Sequence, residues 1–300
     1  MGLNQGYAYR ETLGPAAAQL TLLEYLSKSY RHSSAREWEA RIDEGLVLLD
    51  GQAARRGDVL RLGQTLVWRR PPWQEPSAPL DFAILYEDEH LLAVAKPAGL
   101  PTLPGGGFLN HTLLARVRRR YPEATPLHRL GRGTSGVMLW ARTGLARREL
   151  STVWRTKVRR IYRTLVQGAL EDPSLIIDTP IGLAPHPLLG TVFAATSNGK
   201  PSLSRVRLLE RRRGTSLVAV EIETGRPHQI RIHLAAAGHP LVGDPLYVKG
   251  GEPLPESRAL PGDLGYLLHA ERVQFDHPET GSPVDVTCLP PPSLRNTLTV

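Results

Sequence analysis

The residues best placed for chemistry are Leu127-His128-Arg129-Leu130-Gly131-Arg132-Gly133-Thr134-Ser135-Gly136, which run straight into Val137-Met138-Leu139-Trp140-Ala141-Arg142. Glycines at 131, 133 and 136 allow a tight bend and a close approach of backbone to ligand. Arg129 and Arg132 place positive charge at that bend, and Thr134 and Ser135 add hydroxyls with no strong base beside them. The apolar run that follows reads as a buried strand. The three glycines also spell G-x-G-x-x-G, but a dinucleotide turn follows a strand, opens a helix and is answered by an acid ~20 residues on. Here a Tyr-Pro-Glu-Ala-Thr-Pro segment precedes the bend, a strand-like run follows, and Val153 to Val158 carries no acid. No nucleotide cofactor is expected.

The charge distribution points to a different ligand. The chain carries 37 Lys/Arg and 29 Asp/Glu, a net charge of +8. Between Arg116 and Arg163 stand 14 basic residues against Glu123 and Glu149 alone, which leaves 23 basic and 27 acidic residues elsewhere. The positive excess is therefore confined to the segment holding the glycine bend. So one-sided a run, dominated by arginine forks that suit phosphate, is the footprint of a polyanion such as nucleic acid.

Two further segments carry candidate residues: Thr224-Gly225-Arg226-Pro227-His228-Gln229-Ile230-Arg231-Ile232-His233, and Gly243-Asp244-Pro245-Leu246-Tyr247. The first closes a strand with a turn and opens another element; the second is a loop. If His228 and His233 lie on a strand, their opposite parity points them to opposite sides. There is no H-x-x-x-H helix pair, and the single cysteine, Cys288, excludes an internal disulfide or thiolate cluster. No metal site is expected.

The elements that must position these residues fall into two groups. Residues 16 to 30 read as a helix with Leu20, Leu23 and Leu26 on one face, and a second helix from Ser34 has Glu37 at the capping-box position. Gly45 to Gly51 reads as a strand ending in an Asp-Gly hairpin turn. A proline-rich joint, Arg69 to Pro79, closes this part, so the expected domains are 1–76 and 77–300. In the larger domain, strands are expected at Phe82–Tyr86, Leu91–Ala95, Ile161–Val166, Ser204–Glu210 and Leu217–Glu223. Helices are expected around Leu113–Val117 and from Leu145 to Arg155. The fold class is α+β. No apolar run reaches membrane-spanning length, and the N-terminus has no signal-peptide pattern, so a cytoplasmic protein without a membrane partner is expected, most simply a monomer.

The larger domain resembles the RluA family of RNA pseudouridine synthases between about Leu80 and Leu289. The motifs that carry this are Lys96-Pro97-Ala98-Gly99-Leu100, His128-Arg129-Leu130 with Thr134-Ser135-Gly136, Arg160-Ile161-Tyr162, Thr224 to His233, and Gly243 to Tyr247. The N-terminal part is similar to an S4-type RNA-binding module through Ile42, Gly45, Val47, Asp50, Gly51, Gly57 and Asp58. The resemblance implies an S4-like α/β module followed by a synthase domain built on a largely antiparallel mixed sheet with flanking helices. It implies isomerisation of uridine to pseudouridine in ribosomal or transfer RNA, without a cofactor. It casts Tyr162 as the ring that stacks on the base and Arg231 as the partner of the catalytic aspartate. Arg129 is cast as a residue that reaches into the RNA, with Arg132, Thr134, Ser135, Arg160, Arg226 and His228 as further substrate-binding residues.

The chain departs from the family where the resemblance expects that aspartate. The position is Gly131, and the next aspartate common in the motif is Gly133. Glycine can be neither nucleophile nor base. A buried Arg231 would then need another acid, with Asp244 the first candidate to substitute for the missing catalytic aspartate, or else the site must be open to water. Two readings follow: a synthase whose catalytic group comes from elsewhere, or an inactive RNA-binding protein or RNA chaperone on the same fold.

Overall fold

Two capping boxes start the helices of the N-terminal part. Thr21 and Glu24 begin Leu22–Ser29, and Ser34 and Glu37 begin Ala35–Asp43. The first helix buries Leu22 and Leu26 rather than a Leu20-Leu23-Leu26 face, because it starts after Thr21 and leaves Leu20 outside. Both helices pack with Trp38, Ile42, Val47 and Leu66 against a sheet ordered Tyr7–Thr12, Thr65–Arg70, Val47–Leu49, Gln52–Ala53. The Asp50-Gly51 hairpin turn has both residues at positive φ (+50° and +85°). Because the Ser34 hydroxyl takes an otherwise orphaned amide, Ser34→Ala is expected to cost about 1 kcal/mol. Amide exchange across Ala35–Asp43 should then quicken roughly fivefold.

The computed structural model describes residues 2–260 and 262–297. It divides into two compact units, Met1–Glu75 and Pro76–Val300.

The second unit is built on a ten-stranded sheet. Its path runs Ser174–Ile177, Ser204–Arg212, Thr215–Ile222, Arg159–Gln167, Leu268–Asp276, Thr134–Ala141, Leu91–Lys96, Ala83–Glu87; off it, Pro283–Thr287 pairs with Leu268–Asp276 and Thr125–Pro126 with Thr134–Ala141. Every pairing on this path is antiparallel except that of Leu268–Asp276 with Thr134–Ala141. This is the expected α+β class, with a large, mostly antiparallel sheet and few helices. The strand after the glycine bend is buried on both faces: Met138 and Trp140 join one apolar cluster with Leu92 and Val94, while Val137 and Leu139 join another with Leu91 and Ala93. That two-sided burial accounts for its unbroken apolar sequence. Gly136 sits at φ +111° where the parallel strands meet, and a Cβ there would run into the Ala270 backbone.

The reading of Thr224 to His233 needs correction. Gln229–Ala236 is a helix, not a strand, so the parity argument about His228 and His233 does not apply. Its residues from Gln229 to Ala235 are all buried, so no polar stripe marks a helical period. His233 is occupied within the protein, by Ser204 Oγ at 2.9 Å and the Thr179 carbonyl at 2.9 Å. Among the described residues no group of His, Cys, Asp and Glu could hold a metal, and no helix is long and apolar enough to cross a membrane.

Candidate active site

Arg231 lies on the buried helix Gln229–Ala236, and its guanidinium meets Asp244 through two parallel bonds. Nε donates to Oδ2 at 2.6 Å and Nη2 to Oδ1 at 2.7 Å. The two side chains are 2% and 1% exposed. Burial alone would pull Arg231 down, but the hydrogen bonds and charge of Asp244 more than reverse it and hold the guanidinium ionised. Asp244 Oδ1 also accepts the Leu246 and Tyr247 amides at 2.9 and 3.0 Å. The carboxylate thus ties its own loop and clamps Arg231 at once.

Two tyrosines hold the cation from its faces. Arg231 Cζ is 4.8 Å from the Tyr247 ring centroid and 4.2 Å from that of Tyr266. Gly243 and Gly265 set this arrangement, since each packs on the other's carbonyl with no room for a Cβ. Asp244 and Tyr266, the residues that follow them, are thereby brought to one guanidinium. The Tyr247 hydroxyl donates to the Phe193 carbonyl at 2.8 Å and lies 2.8 Å from His228 Nδ1. With its proton spent on Phe193, it accepts from Nδ1–H, which leaves His228 Nε2 as an acceptor. Burial, followed by the charge of Arg231, pushes His228 down to about 4, so the ring is neutral at pH 7.

The glycine bend passes beneath Tyr266. A Cβ at Gly131 would lie 3.1 Å from the Tyr266 hydroxyl, and one at Gly133 2.9 Å from Cζ of the same ring. Arg132 reaches the carbonyl of Gly262 at 3.1 Å and Asp263 at 3.5 Å. Arg129 is exposed, with no hydrogen bond or ion pair among the described residues, and its charge is felt by His228. Lys96, 1% exposed, donates to the carbonyls of Pro97 (2.9 Å) and Arg132 (3.3 Å) and so pins the bend from the other side.

The remaining expected site residues are placed differently. Tyr162 is buried in an apolar cluster that also holds Ile230 and Tyr266, but the rings on the guanidinium are Tyr247 and Tyr266. Arg160 is buried and spends Nη2 on the carbonyls of Ile222 and Glu223 at 3.2 and 3.1 Å. Arg226 binds the Pro201 carbonyl. Thr134 is buried in the sheet. Ser135 Oγ lies 2.8 Å from His269 Nδ1 and faces a cleft of about 690 Å³ lined also by Lys96, Gly133 and Tyr266.

The family profile described as RNA pseudouridylate synthase matches residues 90–236, which include the glycine bend and Arg231. An uncharacterized RNA pseudouridine synthase of Synechocystis is 44% identical over 276 residues, 91% of this chain and 95% of the relative. The chain belongs to the RluA-type RNA pseudouridine synthases.

Other synthases of the family extend the match. Ribosomal large subunit pseudouridine synthase D of Xanthomonas campestris is 37% identical across 91% of this chain and 86% of its own length. The solved structure of human RNA pseudouridylate synthase domain containing 1 aligns with a TM-score of 0.56 at 26% identity, covering 74% of this chain and 89% of the human one. In this member of the family, sequence reasoning passed over Tyr266 altogether and gave Lys96 no role beyond its motif. A signal for Tyr266 did exist. Two missing side chains at 131 and 133 leave a volume that a close-packed interior must fill with something large.

Proposed function

We propose that this protein is a cytoplasmic, cofactor-free RNA pseudouridine synthase that isomerises uridine in large-subunit ribosomal RNA. The observation that carries this reading is the buried Arg231–Asp244 pair beside a glycine bend flanked by Arg129 and Arg132. The reaction breaks C1′–N1 and forms C1′–C5 within one nucleotide, so it is redox-neutral and needs no external donor. The target base must leave its stack to reach such a site, and the Arg116–Arg163 run offers the charge to hold the strand while it does. Support for ribosomal RNA comes from relatives named large-subunit synthases, of which that from Xanthomonas campestris spans nearly the whole chain. The N-terminal unit reads as an S4-like RNA-binding module, supported by exposed Arg10, Arg55, Arg61 and Arg69.

Gly131 favours a second reading, an RNA-binding protein or chaperone that has lost the isomerase step. Ribosomal RNA labelled with tritium at uridine C5 separates the two. A synthase releases label to water as C5 gives up its hydrogen, and no release at stoichiometric protein would leave only the binding role. Both readings require RNA affinity that falls steeply with salt. If about six phosphates are contacted, the loss is on the order of 10³-fold between 50 and 200 mM. An affinity indifferent to salt would count against both.

A further inference from the structure

Breaking a glycosidic bond calls for a nucleophile or a stabilising anion at C1′. Position 131 carries no side chain to provide one. The space where that side chain would begin holds the hydroxyl of Tyr266, 3.1 Å from an ideal Cβ. We propose, on the reading that this protein is a synthase, that Tyr266 is its catalytic nucleophile and replaces the side chain absent at Gly131.

Two tyrosines flank Arg231, and their hydroxyls differ. That of Tyr247 is engaged by His228 and the Phe193 carbonyl. That of Tyr266 makes no hydrogen bond among the described residues, although the residue is only 5% exposed. The hydroxyl is not among the atoms shut off from solvent, so it is unspent and open to a substrate atom at the bend. The Arg231 guanidinium lies over the same ring, 4.2 Å from its centroid, so a cation stands beside the atoms that would react. The ring is also firmly placed: it follows the Gly243–Gly265 contact and leads into the strand whose Leu268 pairs with Thr134.

The rival groups beside Arg231 and on the bend are engaged elsewhere, and Asp81 lies at the exposed rim of the cleft. Asp244 gives both oxygens to Arg231 and one of them also to two amides. Thr134 is buried in the sheet, and Ser135 is tied to His269. Asp263 stands at Arg132, with one oxygen taken by the Leu260 amide.

The step balances without a co-reactant. The Tyr266 oxygen bonds to C1′, the C1′–N1 pair leaves with uracil, and the phenol proton goes to N1. Uracil turns, C5 bonds to C1′, the Tyr266 oxygen departs with its electron pair, and it takes the proton that C5 loses. Exchange of that proton with water is the label release described above.

The test uses the full-length protein and ribosomal RNA labelled at uridine C5. Tyr266→Phe keeps the ring and removes the oxygen. We expect label release to fall about 10³-fold in kcat, with KM, RNA affinity and thermal midpoint held. In the Tyr266→Phe, Gly131→Asp double variant, loss of the hydroxyl makes room for the new Cβ and a carboxylate returns, so part of the rate should be recovered. A Tyr266→Phe protein within tenfold of wild type overturns the proposal while leaving the synthase reading intact. Loss of activity in Asp263→Asn but not in Tyr266→Phe does the same. No release from the wild-type protein overturns the synthase reading and this inference with it.

Discussion

Asp244→Ala is expected to destabilise the second unit by about 3–5 kcal/mol, because it strands a guanidinium that is 2% exposed. For a unit of this size the thermal midpoint should drop by roughly 2–4 °C for each kcal/mol. The loss has two separable parts. One is the unpaired Arg231; the other is the Leu246 and Tyr247 amides, which lose their acceptor. Asp244→Asn keeps an oxygen for those amides and removes only the charge, so it should cost less. Pairing Asp244→Leu with Arg231→Met removes both charges and should regain most of the first part, but not the ~1–3 kcal/mol for unsatisfied amides. Urea unfolding of the four proteins reads this directly. Equal stability of Asp244→Ala and wild type would mean that the pair is hydrated in solution.

Lys96 predicts a pH dependence of unusual sign for a base. Burial depresses its ammonium from 10.5 to about 7, and its partners are neutral carbonyls rather than a carboxylate. Below pH 7 both folded and unfolded chains hold the proton, and the folded one bears the full desolvation cost. Between about 7 and 10.5 the unfolded chain binds more protons, so this group's contribution to stability rises with pH. The limiting slope is about 1.4 kcal/mol per pH unit. In Lys96→Met that slope vanishes, while the other titrating groups remain. The expected result is therefore a wild-type-minus-variant stability difference that climbs from pH 7 to 10. A flat difference would show that Lys96 keeps its proton in the folded state.

Local signals made much of this molecule legible in the sequence. Ser34 with Glu37, the Asp50-Gly51 turn and the apolar run after Gly136 each act within a few residues, and each stands in the structure as read. Charge left two alternatives for a buried Arg231, another acid with Asp244 the first candidate or a site open to water, and the structure pairs Arg231 with Asp244. Two features were not legible. The helix Gln229–Ala236 is buried on every side, which erases the periodicity that distinguishes helix from strand. The position of Tyr266 depends on Gly243 meeting Gly265 and on strand pairing across more than a hundred residues, neither of which spacing within a motif encodes. The substrate-binding residues suggested by motif position also divide in the structure. Arg129 is exposed near His228, whereas Arg160 and Arg226 are turned onto carbonyls of their own chain.

The strand Leu268–Asp276 sits between Arg159–Gln167 and Thr134–Ala141, joining two halves of the sheet that are otherwise separate. During synthesis, everything through Gln229–Ala236 leaves the ribosome before this keystone does. Until it arrives, Arg159–Gln167 and Thr134–Ala141 each present a bare edge, and Arg231 has no Tyr266 against it. Joining of the two halves is thus a late step in the folding of this unit. It will be slow to close and open to wrong edge pairing, and a nascent chain of this protein should depend on chaperones more than its size suggests.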